Sequence, residues 1–183
     1  PLVEDWTLSL GAPLKLGADL GVCSTNRDKM ISTGRGGLVF GDDDALMARV
    51  REVCHYEAHH MFGFSIGMSA LQAALGNSQL RQLDEFVQKR RETAAIYTDS
   101  FRQANIDCPD HDCGSTFFRY LVATEDPAAS ISRLRARGIE AGRGVYPPLH
   151  RLHGVPDDDL PGTVYSVEHL LSVPVHPGLS EGD

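Results

Sequence analysis

The sequence holds no apolar run approaching the roughly 18 residues from which a membrane-spanning helix is built. Basic clusters are missing as well. Against 25 Asp+Glu stand 17 Lys+Arg, and a net charge of −8 repels phosphate backbones, so nucleic acid is excluded as an expected partner. The opening Pro1-Leu2-Val3-Glu4-Asp5 has neither the basic nor the apolar segment of a secretory leader. Cysteines are few and scattered (Cys23, Cys54, Cys108, Cys113), which fits reduced thiols and an expected cytoplasmic location rather than a disulfide framework. Repeats and low-complexity tracts are also lacking. What is present is ordinary for a globular chain: 183 residues, 42% apolar and 23% charged, which excludes a disordered tail, a collagen-like rod and a disulfide miniprotein.

Leu2 to Asp5 reads as a short strand ending in two carboxylates, and Val22-Cys23-Ser24 as the end of another. Residues 8–22 between them are glycine-punctuated. Gly34 to Gly37 forms a turn into a strand at Leu38-Val39-Phe40. Asp42-Asp43-Asp44 supplies N-cap chemistry for a helix over Ala45–Tyr56. A short helix from Ser69 to Leu75 is expected to break at Gly76-Asn77-Ser78. The clearest helix runs from about Gln79 to Ala104. Leu80, Leu83, Phe86, Val87, Ala94, Tyr97 and Phe101 form its buried stripe, and Lys89, Arg90, Arg91 and Glu92 its solvated side. Phe117–Thr124 as strand, Pro127–Arg137 as helix and Ile139 onward as strand make a β-α-β unit of a small α/β domain. A boundary is expected near residues 102–112.

Lys29 stands out by its company. A lone lysine is normally a surface residue. This one has a strand-end acid (Asp5), a hydroxyl five residues ahead (Ser24) and a Ser-Thr-Gly-x-Gly-Gly turn behind. An amine for a Schiff base, a carboxylate for a pyridinium nitrogen and a hydroxyl for a phosphate are the parts that a pyridoxal phosphate site needs.

These residues resemble the DegT/DnrJ/EryC1/StrS family of sugar aminotransferases, fold-type I pyridoxal-phosphate enzymes. Val3-Glu4-Asp5 is similar to the family's E-D motif, and Ser24 to Gly37 (S-T-N-R-D-K-M-I-S-T-G-R-G-G) to its lysine segment. Met68 to Gly76, with Gln79 to Phe86 and Lys89 to Arg91, resembles its long-helix signature. Tyr146 to His150 and Leu171 to Ser180 resemble its two C-terminal motifs. The five occur in the family's order.

The resemblance implies an α/β chain in two parts. Residues 1–101 would be part of a pyridoxal-phosphate-binding large domain with a long connecting helix, and 112–183 a small C-terminal α/β domain. It also implies that the family's N-terminal half precedes Pro1, an expectation strengthened by the abrupt strand-like start. Lys29 would be the Schiff-base lysine and proton carrier, Asp5 the partner of the pyridinium nitrogen and Ser24 a phosphate donor. Tyr146 and His150 are candidates to face substrate, the alternative for Tyr146 being packing beside the Pro147-Pro148 turn. The implied reaction moves an amino group from an amino acid donor to a ketone on a nucleotide-linked sugar or cyclitol, in a homodimer. Lys29 sets the chain apart from the family's dehydratase branch, which replaces that residue.

Four positions depart from the family pattern: Leu8 where Gln or His is usual, Arg35 for Glu, Ser65 for Asn and Gly67 for Arg. They favour the alternative of a non-catalytic or regulatory relative that keeps the fold. A further alternative is one part of an enzyme completed elsewhere. No metal is expected. His55, Glu57, His59 and His60 do not share one helix face, and Cys108 and Cys113 with His111 lack a second pair.

Overall fold

A computed structural model describes residues 1–13, 15–54, 64–106, 108, 114–144 and 146–180. The chain forms two compact units, Pro1–Val87 and Gln88–Asp183.

The first unit is built on a three-stranded sheet of β1 (Val3–Asp5), β2 (Leu20–Ser24) and β3 (Gly37–Phe40), in that order. β1 runs parallel to β2, with Asp5 opposite Val22, while β3 returns antiparallel, with Gly37 opposite Ser24. Gly21 faces Phe40 in this register, and a Cβ there would overlap the Phe40 ring, so the strand pair needs glycine at that point. Trp6 stands edge-on to the same ring at 5.6 Å. Asp43 accepts from the Leu46 amide at 3.0 Å, opening α1 (Asp44–Cys54); the expected end at Tyr56 lies outside the described residues.

Helix α2 (Ala70–Leu80) starts as the sequence suggests. Ser69 and Gln72 close a reciprocal capping box. Its end differs, because Gly76 does not break it. The glycine is buried, and a Cβ there would stand 3.1 Å from Thr33 Cγ2. Close approach, not helix termination, accounts for this residue. The break comes after Leu80, and α3 (Leu83–Gln103) follows.

In the second unit α3 turns Ala94, Tyr97 and Phe101 toward a second sheet of β4 (Tyr120–Ala123), β5 (Gly142–Arg143) and β6 (Leu170–Val173). The order is β4-β6-β5, and β6 is antiparallel to both neighbours, so β4 and β5 are parallel to each other. The β-α-β unit is present with α4 (Pro127–Ala136) as its crossover, but β6 is inserted between its strands. Helices α5 (Leu149–Leu152) and α6 (Pro161–His169) precede that inserted strand. Tyr120, fully buried, centres the core with Val122, Leu171 and Val175.

The supposedly solvated side of α3 is only half so. Lys89 and Glu92 are exposed, but Arg90 is buried and its Nη1 donates to the carbonyls of Val175 (2.6 Å), Phe117 (3.1 Å) and Phe118 (3.5 Å). Arg91 Nε donates to the Ser115 carbonyl at 3.0 Å. Backbone carbonyls of the segments that flank β4 and β6 draw both guanidiniums inward. Among the described residues no helix is long and apolar enough to cross a membrane.

Candidate functional site

Asp5 closes β1 and Ser24 closes β2, so parallel pairing brings their backbones to the same edge of the sheet. The carboxyl ends of parallel strands are where α/β sheets bind ligands. Alternation along β1 separates the two acids. Glu4 turns away to accept from Trp6 Nε1 (3.0 Å) and the Gly17 amide (3.2 Å), which leaves Asp5 exposed at the strand end.

Thr7 organises this edge. Its amide donates to Asp5 Oδ1 at 2.8 Å, and its Oγ1 accepts from the Ser24 amide at 3.1 Å. Asp5 is held below the usual carboxylate range by the Thr7 hydroxyl and amide, against slight desolvation, with the Lys29 charge adding to the effect. Cys23, buried in β2, lies in the same field. Burial pushes its thiol up, Asp5 pushes it further and Lys29 opposes both. Sequence reading passed over Thr7, although Asp-x-Thr at a strand end is the pattern of a side chain bonding backbone two residues on.

Ser24 Oγ accepts from the Asn26 amide at 3.3 Å, which leaves its own proton free to be donated. Asn26 in turn accepts from the Lys29 amide at 3.0 Å through its carbonyl and from the Gly36 amide at 3.4 Å through its side chain. These bonds fold residues 24–36 into a tight loop. Lys29 heads it, with its side chain 14% exposed and Nζ 3.4 Å from Asp28 Oδ2. Behind Lys29 the loop is anchored by buried Met30 and Ile31 and by a 2.8 Å hydroxyl pair between Thr25 and Thr33.

One face of α2 clamps the loop from outside. Gln72 Nε2 donates to the Arg35 carbonyl (2.8 Å), Gly76 admits Thr33, and Gln79 bonds both backbone groups of Ser32 (2.8 and 2.7 Å). The spacing 72, 76, 79 places all three on one side of the helix. Gln72 and Gln79 were legible only as parts of a longer motif. A second signal was available for Lys29, since the chain has just three lysines, Lys15, Lys29 and Lys89.

Of the departing positions, Leu8, Ser65 and Gly67 are exposed, and exposed Arg35 contributes its carbonyl to the clamp. The histidine cluster at 55–60 lies outside the described residues, as do Cys113 and His111. Tyr146 and His150 belong to the second unit. Tyr146 is 70% exposed, with the Arg119 guanidinium over its ring at 5.2 Å. His150 is buried and its Nε2 meets Asp157 Oδ1 at 2.9 Å. Arg151 grips the same carboxylate through Nε (2.9 Å) and Nη2 (2.8 Å). Asp157 is thereby lowered to about 2, first by Arg151 and then by His150.

An ionised carboxylate, a half-buried primary amine and a hydroxyl with a free proton, gathered by β1, β2 and the loop, are the donor types that fit pyridoxal phosphate. Known proteins share this architecture. GDP-perosamine synthase of Caulobacter vibrioides is 30% identical over 100% of this chain and 55% of its own length. A Bacillus subtilis protein named a putative pyridoxal phosphate-dependent aminotransferase, EpsN, is 29% identical over 82% of this chain and 43% of its own. The crystal structure of the aminotransferase TlmJ from Streptoalloteichus hindustanus superposes with a TM-score of 0.86 at 29% identity, covering 100% of this chain and 55% of that one. The chain therefore spans about half the length of the curated relatives that it matches. With the lysine loop and both strand-end residues in family order, and the DegT/DnrJ/EryC1/StrS aminotransferase family model matching residues 1–183, the chain belongs to that family.

Proposed function

We infer that this chain carries the lysine-bearing half of a pyridoxal-phosphate-dependent aminotransferase, which moves an amino group from an amino acid donor to the keto group of a nucleotide-activated sugar or cyclitol. One observation supports this above the others. Asp5, Ser24 and Lys29 lie at the edge made by β1, β2 and the following loop, and the carboxylate is kept ionised there.

Pyridoxal phosphate, when bound, supplies the electron sink that makes removal of a proton from carbon feasible. Asp5 would hold its ring nitrogen protonated, which is what a carboxylate with a depressed pKa does best. Ser24 would donate its free proton to a phosphate oxygen. Lys29 would hold the cofactor through Nζ and carry a proton between the substrate's Cα and the cofactor. The loop bonds from Asn26 and the α2 clamp keep Lys29 from wandering, and a fixed amine is what directs a proton to one face.

Residues 1–101 then serve as part of the large cofactor domain with its connecting helix, and 112–183 as the small C-terminal domain. The working form is a homodimer in a reducing cytoplasmic setting. A second reading, a relative that keeps the fold without catalysis, draws on Leu8, Arg35, Ser65 and Gly67.

The test is the native protein with excess pyridoxal phosphate. A visible absorption band that is lost in Lys29→Ala, together with amino transfer from glutamate or glutamine to a nucleotide-linked keto sugar, supports the aminotransferase. No band under these conditions supports the second reading.

A further inference from the structure

A cavity of about 430 Å³ lies over one face of the second sheet, between the end of α3 and α4. Its size falls within the range of small-molecule sites, roughly 300–1,000 Å³. Val122, Leu171 and Val173 form the floor, Phe101 and Ile106 one wall and Leu134 the other. Both walls are fixed by helix closures. Asn105 takes a positive φ of 54°, and the amides of Asn105 and Ile106 donate back to the carbonyls of Arg102 (3.1 Å) and Phe101 (2.8 Å). This closure sets Ile106 beside Phe101. Gly138, with φ of 82°, closes α4 in the same way, and the Ile139 amide donates to the Leu134 carbonyl at 3.0 Å.

Polar groups reach the cavity from one side only. Arg133 and Arg137, one turn apart on α4 and both exposed, stand over the apolar floor. Arg133 Nη2 donates to Ser130 Oγ at 3.1 Å, and Ser130 Oγ lies 3.2 Å from Thr124 Oγ1. Among the described residues neither arginine meets a carboxylate, although the chain has a net charge of −8. Basic residues suit a helix C-terminus, but Arg135 meets that need without lining the cavity, and it donates to the Ala141 carbonyl at 2.9 Å. Like charges one turn apart repel each other. An anion between Arg133 and Arg137 removes that repulsion and complements two planar donors.

We propose that this cavity binds an amphipathic monocarboxylate, with an aliphatic tail over Val122, Leu171 and Val173 and its head between Arg133 and Arg137. The site stands apart from the function proposed above, because none of Asp5, Ser24 and Lys29 lines it.

Calorimetry on the native protein compares butyrate, hexanoate, octanoate and 1-octanol. Octanoate is expected to bind with a Kd below about 1 mM. Hexanoate should be weaker by on the order of tenfold, since each buried methylene is worth about fourfold, and butyrate should not bind measurably. Octanol keeps the tail without the charge and should be weaker than octanoate by about tenfold. Arg133→Gln and Arg137→Gln alter exposed side chains, so the fold is kept. Each is expected to weaken octanoate about fivefold or more and to leave octanol unchanged. The proposal is overturned if octanoate does not bind, if it gains nothing over hexanoate, if octanol equals it, or if either variant binds octanoate as the native protein does.

Discussion

Thr7 joins the two strand ends of the site: its amide donates to Asp5 Oδ1 at 2.8 Å while its Oγ1 accepts from the Ser24 amide at 3.1 Å. The acid assigned to the cofactor nitrogen and the serine assigned to the phosphate are thus aligned by one small side chain that carries neither role.

Thr7→Val keeps the shape and removes the hydroxyl. The Asp5 pKa should rise toward the ordinary carboxylate value, because the Thr7 hydroxyl is the largest influence lowering it. Its depressed folded-state pKa means that Asp5 contributes stability above the unfolded value of 3.8, and that this is lost as pH falls through the folded value. Thr7→Val should narrow that window. A carbon-detected NMR titration of Asp5 reads the shift, and an unmoved pKa would refute the role given to Thr7.

Gln79 satisfies both backbone groups of half-buried Ser32. Gln79→Ala strands them, at about 1–3 kcal/mol for each group left dry and less if water enters. Urea denaturation should show a lower midpoint with an unchanged slope. Cofactor affinity should fall as well, since the clamp holds the loop that presents Lys29.

Tyr120 offers a graded test of the second core. Its hydroxyl meets Thr98 Oγ1 at 2.7 Å, and burial is the main cause of its pKa rising to about 12. Thr98 also bonds the Ala94 carbonyl at 2.8 Å, so Tyr120→Phe strands little and should cost about 1 kcal/mol. Tyr120→Ala removes a ring packed against Tyr97, Phe101 and Phe117 and should cost about 3–5 kcal/mol. Similar losses from both would contradict this packing.

Asp157 predicts an acid-sensitive clamp. Its folded pKa of about 2 lies below its ordinary 3.8, so the clamp on Arg151 and His150 stabilises fully above pH 3.8 and is lost as pH falls through about 2. Melting temperatures of the native protein and Asp157→Asn should differ above pH 4 and converge near pH 2. A constant difference across that range would contradict the assignment.

The Lys29 loop was legible because its chemistry is local. Ser24, Lys29 and the glycines at 34–37 lie close in sequence, and the β2 and β3 strands flank them with apolar residues and turns. Long-range closures were not. Gly76 reads as a helix breaker at a cost of about 1 kcal/mol relative to alanine, yet the capping box of Ser69 and Gln72 and the approach of Thr33 carry the helix past it. Arg90 reads as solvated until carbonyls from Phe117, Phe118 and Val175 converge on it. β6 was visible as a motif but not as the strand between β4 and β5, because its pairing spans the intervening helices. Arg119 went unnoticed, since nothing in its immediate sequence announces that Tyr146 will lie against it.

If Lys29 is the residue that holds pyridoxal phosphate, covalent trapping will find the cofactor there. The native protein is loaded with pyridoxal phosphate, reduced with borohydride, digested and mapped by mass spectrometry. A phosphopyridoxyl group is expected on Lys29 and none in Lys29→Ala; an unmodified Lys29, or label carried instead by Lys15 or Lys89, would refute the assignment.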